Sequence, residues 1–231
     1  MKECIILAGG FGTRLQSVVK DVPKCMAEVS GKPFLKYLFD YLDQQGFDHV
    51  ILSLGYKSQY VIDWLASQNQ KFKISYVVET EPLGTGGAIR LAIGKVNSNH
   101  AFVINGDTFF DVDTDYLLQS HKDKRADITI ALKPMADFDR YGSVEINAEN
   151  RIIKFNEKQY CTNGLINGGV YLINKNIFSQ INLPQKFSFE KDIMESQNDN
   201  ISIFGYIQNC YFIDIGIPSD FEKANKDFAS R

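Results

Sequence analysis

The sequence predicts an α/β fold in which a mixed, mainly parallel central sheet lies between two layers of helices. Three observations predict it. Short apolar runs alternate with amphipathic stretches in the first half of the chain, which is typical of a parallel sheet covered on both faces. Closely spaced strand candidates predominate in the second half. The 231 residues, 44% of them hydrophobic, can bury a full core.

The front half, about residues 1–115, is predicted to hold the first four strands and three helices. The strands lie at 4–8, 50–54, 74–78 and 102–104, and the helices at 34–42, 60–66 and 87–93. Pro33 and Gly46 mark the start and stop of the first helix. The back half, about residues 116–231, has strand candidates at 128–132, 143–146, 152–155, 170–173 and 201–206. Because no linker-like composition separates the halves, we expect one domain over residues 1–231.

Charge and cysteine usage narrow the classes of function. A formal net charge of -3 gives no broad basic field for nucleic acid or a membrane surface. The four cysteines are widely separated and lack the spacing of a zinc site, so we expect reduced thiols. The sequence shows neither a signal-peptide pattern nor an apolar run of about 20 residues. These features predict a cytoplasmic protein with small-molecule ligands.

A glycine-rich segment follows the first strand. It runs Leu7-Ala8-Gly9-Gly10-Phe11-Gly12-Thr13-Arg14. Glycines at this position let backbone N–H groups approach phosphate oxygens, although a simple tight turn would use them too. Arg14 and Lys24 favour an anion site, since two cations converge on the carboxyl end of a strand. The segment fits neither the Walker pattern nor the dinucleotide-binding pattern.

Two aspartates each end an apolar strand-like run. Asp107 follows the run at 102–106, and Asp214 follows the run at 211–213. Two carboxylates, completed by phosphate oxygens and water, suit an octahedral Mg²⁺ ion, whereas either aspartate alone suits a turn or a helix cap. A D-x-D pattern at Asp111 and Asp113 is a second metal candidate, but it is better interpreted as the start of the following helix, which Asp113 or Thr114 can cap.

Residues 9–15 and Pro23-Lys24 together resemble the signature of the sugar-phosphate nucleotidyltransferase family, G-G-x-G-[ST]-R-L followed by P-K. The resemblance implies a Rossmann-like three-layer sandwich of the nucleotide-diphospho-sugar transferase type. It also implies a reaction between a nucleoside triphosphate and a sugar 1-phosphate, with Mg²⁺ held by Asp107 and Asp214. The catalytic charges would come from Arg14, Lys24, Asp107 and Lys158.

The resemblance also implies two sets of binding residues. The nucleotide-binding set is Leu7, Ala8, Gly9, Gly10, Gly12, Thr13, Arg14, Lys24, Glu79, Gly84, Thr85 and Asp107. The sugar-binding set is Gly142, Glu157, Lys158, Asn167 and Asp214. A carboxylate at Glu79 can accept from the two adjacent donors of guanine, which favours GTP, but it can also be an acidic residue before a turn. A Glu-Lys pair such as Glu157-Lys158 is usually exposed to solvent. It is assigned to the sugar-binding set only because of its place in the family's order of motifs.

Within the family, the pattern most resembles the D-glycero-α-D-manno-heptose 1-phosphate guanylyltransferases, through residues 82–89, 105–110, 137–142 and 164–169. Mannose 1-phosphate guanylyltransferases and muramate 1-phosphate uridylyltransferases share much of it. Two other classes remain open: a glycosyltransferase that uses Asp111 and Asp113, and a regulatory subunit that binds nucleotide sugars without catalysis. Homo-oligomerisation is also left open by the sequence.

Overall fold

The computed structural model describes residues 1–10, 15, 19, 22–179, 181–196 and 200–229. Its strands are β1 Glu3–Ala8, β2 Glu28–Val29, β3 Lys32–Pro33, β4 His49–Leu54, β5 Lys73–Val78, β6 His100–Asn105, β7 Thr108–Phe110, β8 Ile128–Phe138, β9 Val144–Ile146, β10 Ile152–Phe155, β11 Cys161–Asn174, β12 Ile203–Ile207 and β13 Phe212–Asp214. The α-helices are α1 Phe34–Gln44, α2 Ser58–Leu65, α3 Gly84–Ala92, α4 Thr114–Lys124 and α5 Pro218–Phe228. Shorter turns of helix are Lys24–Met26, Ile93–Lys95 and Ile177–Ser179, which are 3₁₀, and Glu190–Met194, which is π-helical.

Seven strands form one central sheet in the order β12-β8-β11-β6-β1-β4-β5. The pairs β6-β1, β1-β4, β4-β5 and β8-β12 are parallel. Strand β11 pairs antiparallel with β6 on one side and β8 on the other. The predicted mixed, mainly parallel sheet is therefore confirmed, and strands from both halves of the chain contribute to it.

The sheet separates two hydrophobic cores, as alternation along a buried strand requires. In β1, Cys4 and Ile6 face the core that includes the inner sides of α1, α2, α4 and α5. Ile5 faces the opposite core, which includes α3 and the short helical turns near residues 177 and 193. This arrangement is the expected three-layer sandwich. Among the described residues, no helix is both long and apolar enough to cross a membrane.

Strand β11 is much longer than the predicted segment at 170–173. The glycines and asparagines before Val170 are turn formers, so their sequence argues against a strand. They nevertheless pair with β8, and the register shifts between Asn167 and Tyr171. Gly169 has a φ of +70° there, which side-chain-bearing residues rarely adopt. The irregularity therefore accommodates the glycine inside the strand and places Asn167 beside the functional cleft described below.

The three histidines lie outside the motifs of the sequence and make structural contacts. His49 contacts Glu3 Oε1 at 2.8 Å and Ser75 Oγ at 2.9 Å. His121 is buried on α4 and contacts Thr129 Oγ1 at 2.8 Å. The His100 and His121 rings are 5.0 Å apart in a T-shaped arrangement. All three imidazoles lie away from the cleft.

The His121 environment predicts a loss of stability at mildly acidic pH. Burial, helped by the neighbouring His100 and Lys122 and opposed by Asp127, lowers the pKa of His121 to about 4. In the unfolded chain the His121 imidazole therefore takes up a proton near pH 6.5, whereas in the folded protein it stays neutral until the pH is near 4. The free energy of unfolding should fall as the pH drops from 6.5 to about 4, by about 3 kcal/mol for a shift of this size.

Urea unfolding at several pH values measures this dependence. In His121→Asn the amide can still bond Thr129, so the slope between pH 6.5 and 4 should flatten even if the variant is less stable throughout. An identical slope in the variant and the parent would show that another group takes up the proton. Glu3 does not titrate in this pH range. Burial raises the pKa of its carboxyl, but hydrogen bonds from Ser98, His49 and Asn97 outweigh burial and lower the pKa to about 2.

Candidate active site

A central cleft of about 580 Å³ opens at the carboxyl ends of β1 and β6. This is the edge of an open α/β sheet at which ligands bind. Seven residues of the predicted site line the central cleft: Leu7, Ala8, Gly10, Lys24, Asp107, Lys158 and Asp214. Leu7 and Asp214, at opposite ends of the sequence, are thus brought to one place.

The two predicted metal aspartates are brought together by a two-stranded ribbon. Strand β7 begins directly after Asp107 and pairs antiparallel with β13, so that Asp214 lies opposite Thr108. The backbone N–H of Ile215 donates to the carbonyl of Asp107 at 3.0 Å. The Asp214 Oδ1 atom accepts from the backbone N–H of Gly216 at 2.7 Å, which fixes the orientation of its carboxylate. Neither β7 nor β13 was predicted as a paired strand.

Lys24 lies between these two carboxylates. Its ammonium donates to Asp107 Oδ2 and is 3.7 Å from Asp214 Oδ1. Burial raises the pKa of Asp214, and the nearby Asp107 carboxylate raises it further, whereas Lys24 opposes both effects. Two negative groups that repel one another and hold a cation between them form a site suited to positive charge.

The donor set fits the predicted Mg²⁺ ion. Asp107 and Asp214 offer hard carboxylate oxygens, and the described residues hold no larger group of acidic, histidine or cysteine side chains suited to a metal. An octahedral ion held by two carboxylates would take its other ligands from phosphate oxygens and water, which is usual for Mg²⁺. Lys24 would have to give up its contact with at least one carboxylate.

A second cleft of about 330 Å³, here called the Glu79 cleft, adjoins the central one. Gly9, Glu79, Gly84, Thr85 and Asp107 line it, so the predicted nucleotide-binding residues converge. Glu79 Oε2 accepts from the backbone N–H of Leu83 at 2.9 Å. Its other oxygen lies over Gly9, where an added Cβ would meet Oε1 at 2.6 Å. The glycine therefore makes room for the carboxylate.

Glu79 is half-buried rather than an exposed acidic residue before a turn. Burial raises the pKa of its carboxyl, and the hydrogen bond from the Leu83 N–H opposes that rise. One carboxylate oxygen is thus engaged in holding the turn that precedes α3, while each oxygen retains acceptor capacity because a carboxylate has about four lone-pair sites. The side chain can orient a ligand that presents donors to the cleft.

A third cleft of about 210 Å³, here called the Asn167 cleft, adjoins the central one on the other side. Gly142, Lys158, Asn167 and Asp214 line it, as predicted for the sugar-binding set. Asn167 Oδ1 accepts from the backbone N–H of Gly169 at 2.9 Å, and its Nδ2 donates to Tyr171 Oη at 3.0 Å. Glu157 is exposed and lies outside the residues that line these clefts, so its predicted contact with the sugar stays a prediction.

Several lining residues were not predicted. Asn105 and Glu190 line both the Glu79 cleft and the Asn167 cleft. Tyr141 lines the central and Asn167 clefts and packs edge-on against Phe212, with ring centroids 5.9 Å apart. Arg140 lines the central cleft and donates to Asp220 Oδ2 at 2.6 Å. Asn105 and Arg140 have a sequence signal, because they lie within segments 105–110 and 137–142 that carry the family resemblance.

The remaining predictions for the site concern the glycine loop and the D-x-D pattern. Gly12, Thr13 and Arg14 lie outside the described residues. The Asp113 side chain accepts from the backbone N–H groups of Asp115 and Tyr116, each at 3.1 Å. Asp113 therefore caps α4 as the sequence predicted, which removes the main support for a metal at this pattern.

The comparison with known families decides the class of this site. The sequence model of the nucleotidyl transferase family matches residues 3–231, nearly the whole chain. The chain belongs to the nucleotidyl transferase family. This membership confirms the predicted family and the enzyme class of a nucleotidyltransferase, and it sets aside the glycosyltransferase and regulatory-subunit interpretations.

Two curated relatives of this nucleotidyltransferase match along almost their full length. The chain is 49% identical over 225 residues to the D-glycero-α-D-manno-heptose 1-phosphate guanylyltransferase of Aneurinibacillus thermoaerophilus, with 97% of each chain covered. It is 46% identical over 219 residues to the protein of that name from Campylobacter jejuni, covering 95% of this chain and 96% of the relative.

Solved structures of nucleotidyltransferases agree with the fold. The structure of HddC from Yersinia pseudotuberculosis complexed with GMP-PN superposes with a TM-score of 0.89 at 41% identity, covering 99% of this chain and all of the other. The inositol-1-phosphate CTP transferase from T. maritima has a TM-score of 0.78 at 22% identity over 98% of this chain. The second likeness shows a shared fold, and the first, at 41% identity, confirms the predicted nucleotide-diphospho-sugar transferase type.

Proposed function

We propose that this nucleotidyltransferase joins the guanylyl group of GTP to D-glycero-α-D-manno-heptose 1-phosphate, giving the GDP-sugar and pyrophosphate. The observation that carries the proposal is the placement of the two aspartates. Asp107 lines the Glu79 cleft, Asp214 lines the Asn167 cleft, and both line the central cleft between them. One carboxylate therefore faces each substrate pocket, with a cation-binding position where the two meet.

The chemistry needs positioning more than proton transfer. An oxygen of the sugar phosphate attacks the α-phosphorus of GTP in line, a new P–O bond forms, and the bond to the β-phosphate breaks as pyrophosphate leaves with its electron pair. The attacking phosphate is anionic at neutral pH, so no general base is required. GTP and the sugar phosphate repel one another because both are polyanions. Fixed positive charge in the site reduces this repulsion and holds the two substrates in contact.

Each charged residue of the central cleft has a part in this proposal. Lys24 and Lys158, which both line the central cleft, would offset charge on the α-phosphate and the sugar phosphate. Asp107 and Asp214 would hold Mg²⁺, which when bound supplies further neutralisation of the phosphate oxygens. Arg14, in the glycine loop, is proposed to bind the leaving pyrophosphate.

The two side clefts support the choice of substrates. In the Glu79 cleft, a carboxylate faces the space for the base and can accept from the N1–H and N2–H₂ donors of guanine, whereas uracil offers one donor between two acceptors. In the Asn167 cleft, Gly142, Asn167 and Lys158 combine hydrogen-bonding groups with one cation, as a sugar phosphate requires. The names of the two curated relatives that are 49% and 46% identical to this chain support heptose 1-phosphate in particular. We place the reaction in the cytoplasm, where GTP is abundant.

Pyrophosphate release tests the proposal directly. Each of the four common nucleoside triphosphates is paired, with Mg²⁺, with a panel of sugar 1-phosphates that includes the manno-heptose, mannose and muramate derivatives. We expect release with GTP and heptose 1-phosphate at a kcat/KM at least about 10-fold above any other pair, since the removal of a hydrogen-bonded substrate group costs at least that factor. A preference for mannose would retain the mechanism and change the sugar. Absence of release with every pair would overturn the proposed function.

A further inference from the structure

Glu190 occupies the boundary between the two substrate pockets. It begins the π-helical turn Glu190–Met194, far from every motif of the sequence analysis. Its side chain lines both the Glu79 cleft and the Asn167 cleft. Within the part of the chain that the structure describes, the only other residue shared by these two linings is Asn105, a neutral amide. Glu190 therefore contributes the charge at the boundary where nucleoside and sugar would meet.

The Glu190 carboxylate is held from the side of the Glu79 cleft. Thr85 Oγ1 donates to Glu190 Oε2 at 2.5 Å, and Ser188 Oγ lies 3.0 Å from the same oxygen. The backbone N–H of Phe189 donates to Thr85 Oγ1 at 2.9 Å. Thr85, at the start of α3, is thus tied to the turn that carries Glu190. These bonds restrict the rotamer of the carboxylate while using two of its about four lone-pair sites.

The carboxylate also faces the residues of the Asn167 cleft. Burial raises the pKa of Tyr171 well above its usual value, and the charge of Glu190 raises it further. The Tyr171 hydroxyl accepts from Asn167 Nδ2 at 3.0 Å. Glu190, Tyr171 and Asn167 line the Asn167 cleft together, and Thr85 lines the Glu79 cleft. Polar side chains therefore extend from the wall of one pocket to the wall of the other, an arrangement that can couple the occupants of the two pockets.

We propose that Glu190 is a specificity-determining residue that accepts a hydrogen bond from a ring hydroxyl of the sugar phosphate, and that its bond to Thr85 links this contact to the nucleotide pocket. The proposal rests on the proposed function. A hydroxyl is the matching ligand group, because a carboxylate repels phosphate and accepts strongly from O–H donors. Lys158 in the same cleft can take the phosphate instead.

The variant Glu190→Gln tests the contact. The amide oxygen can still accept from Thr85 and Ser188, so the turn should keep its place, but the charge-assisted bond to the sugar hydroxyl becomes a weaker neutral one. We expect the KM for the sugar 1-phosphate to rise about 10-fold while the KM for GTP and the Tm stay within about 2-fold and 2 °C of the parent values. Glu195→Gln is the matched control, because Glu195 is exposed at the other end of the same helical turn.

Monodeoxy analogues of the productive sugar 1-phosphate make the test specific. For the one analogue that lacks the accepted hydroxyl, parent and Glu190→Gln should have the same KM, whereas every other analogue should keep the 10-fold difference. An unchanged KM in Glu190→Gln, or a difference that is equal for all analogues, would overturn the proposal. If the parent protein turned over no nucleotide and sugar phosphate pair at all, the proposed function would fail and this inference with it.

Discussion

Replacing Asp107 by asparagine is expected to lower kcat about 10³-fold while the protein still folds. Asparagine has almost the same shape and can keep the hydrogen bond with Thr108, but it removes the negative charge that pairs with Lys24. The charge is needed to hold a divalent ion against phosphate oxygens in the transition state, so the loss should appear in kcat more than in KM for either substrate. Pyrophosphate release under saturating substrates measures it.

Asp113→Asn is the matched control for this prediction. Asparagine is as good a helix cap as aspartate, so α4 should remain intact and turnover should stay within about 2-fold of the parent. If the metal were bound at the D-x-D pattern instead, Asp113→Asn would lose turnover and Asp107→Asn would keep it. A variant Asp107→Asn that retained turnover within about 3-fold would show that the ribbon formed by β7 and β13 does not carry the metal.

The framework of the fold could be predicted from the sequence because its signals are local. Strand β1 is an apolar run ending in glycines, and α1 shows helical spacing between Pro33 and Gly46. Asp107 was identified for the same reason, since it follows a buried strand. The signals that define strand ends and helix caps involve residues within a few positions of one another, which is the range that sequence patterns cover.

The parts that could not be predicted depend on long-range pairing. The strand-like run at 211–213 marked β13, but β7 has three residues, too few for a periodic pattern. Their pairing joins segments about 100 positions apart in the sequence. The contact between Thr85 and Glu190 spans 105 positions. In β11, the pairing with β8 overrides the turn-forming preference of its glycines and asparagines. Glu190 carries no sequence signal, because a single glutamate before a short helical turn is common.

Lys24→Met is expected to lower kcat about 10²- to 10³-fold, for a reason different from that of Asp107. The position of Lys24 is set by the 3₁₀ turn Lys24–Met26, whose Cys25 and Met26 are buried. Methionine matches the length of the lysine side chain but removes the charge that would offset the α-phosphate. Lys36→Met is the control, because Lys36 lies on α1 and pairs with Asp40 one helical turn away, where the charge has no part in turnover.

Binding of Mn²⁺ without nucleotide separates the role of Lys24 from that of a metal ligand. In the structure, the Lys24 ammonium occupies the position between Asp107 and Asp214 where a divalent ion would lie. Removal of that competing cation leaves two carboxylates that repel one another, so Lys24→Met should bind Mn²⁺ about 10-fold more tightly at pH 8 while its turnover falls. Asp107→Asn should lose both Mn²⁺ binding and turnover. If Lys24→Met bound Mn²⁺ more weakly than the parent, Lys24 would be required to hold the carboxylates in place, and its effect on turnover could not be assigned to the phosphate alone.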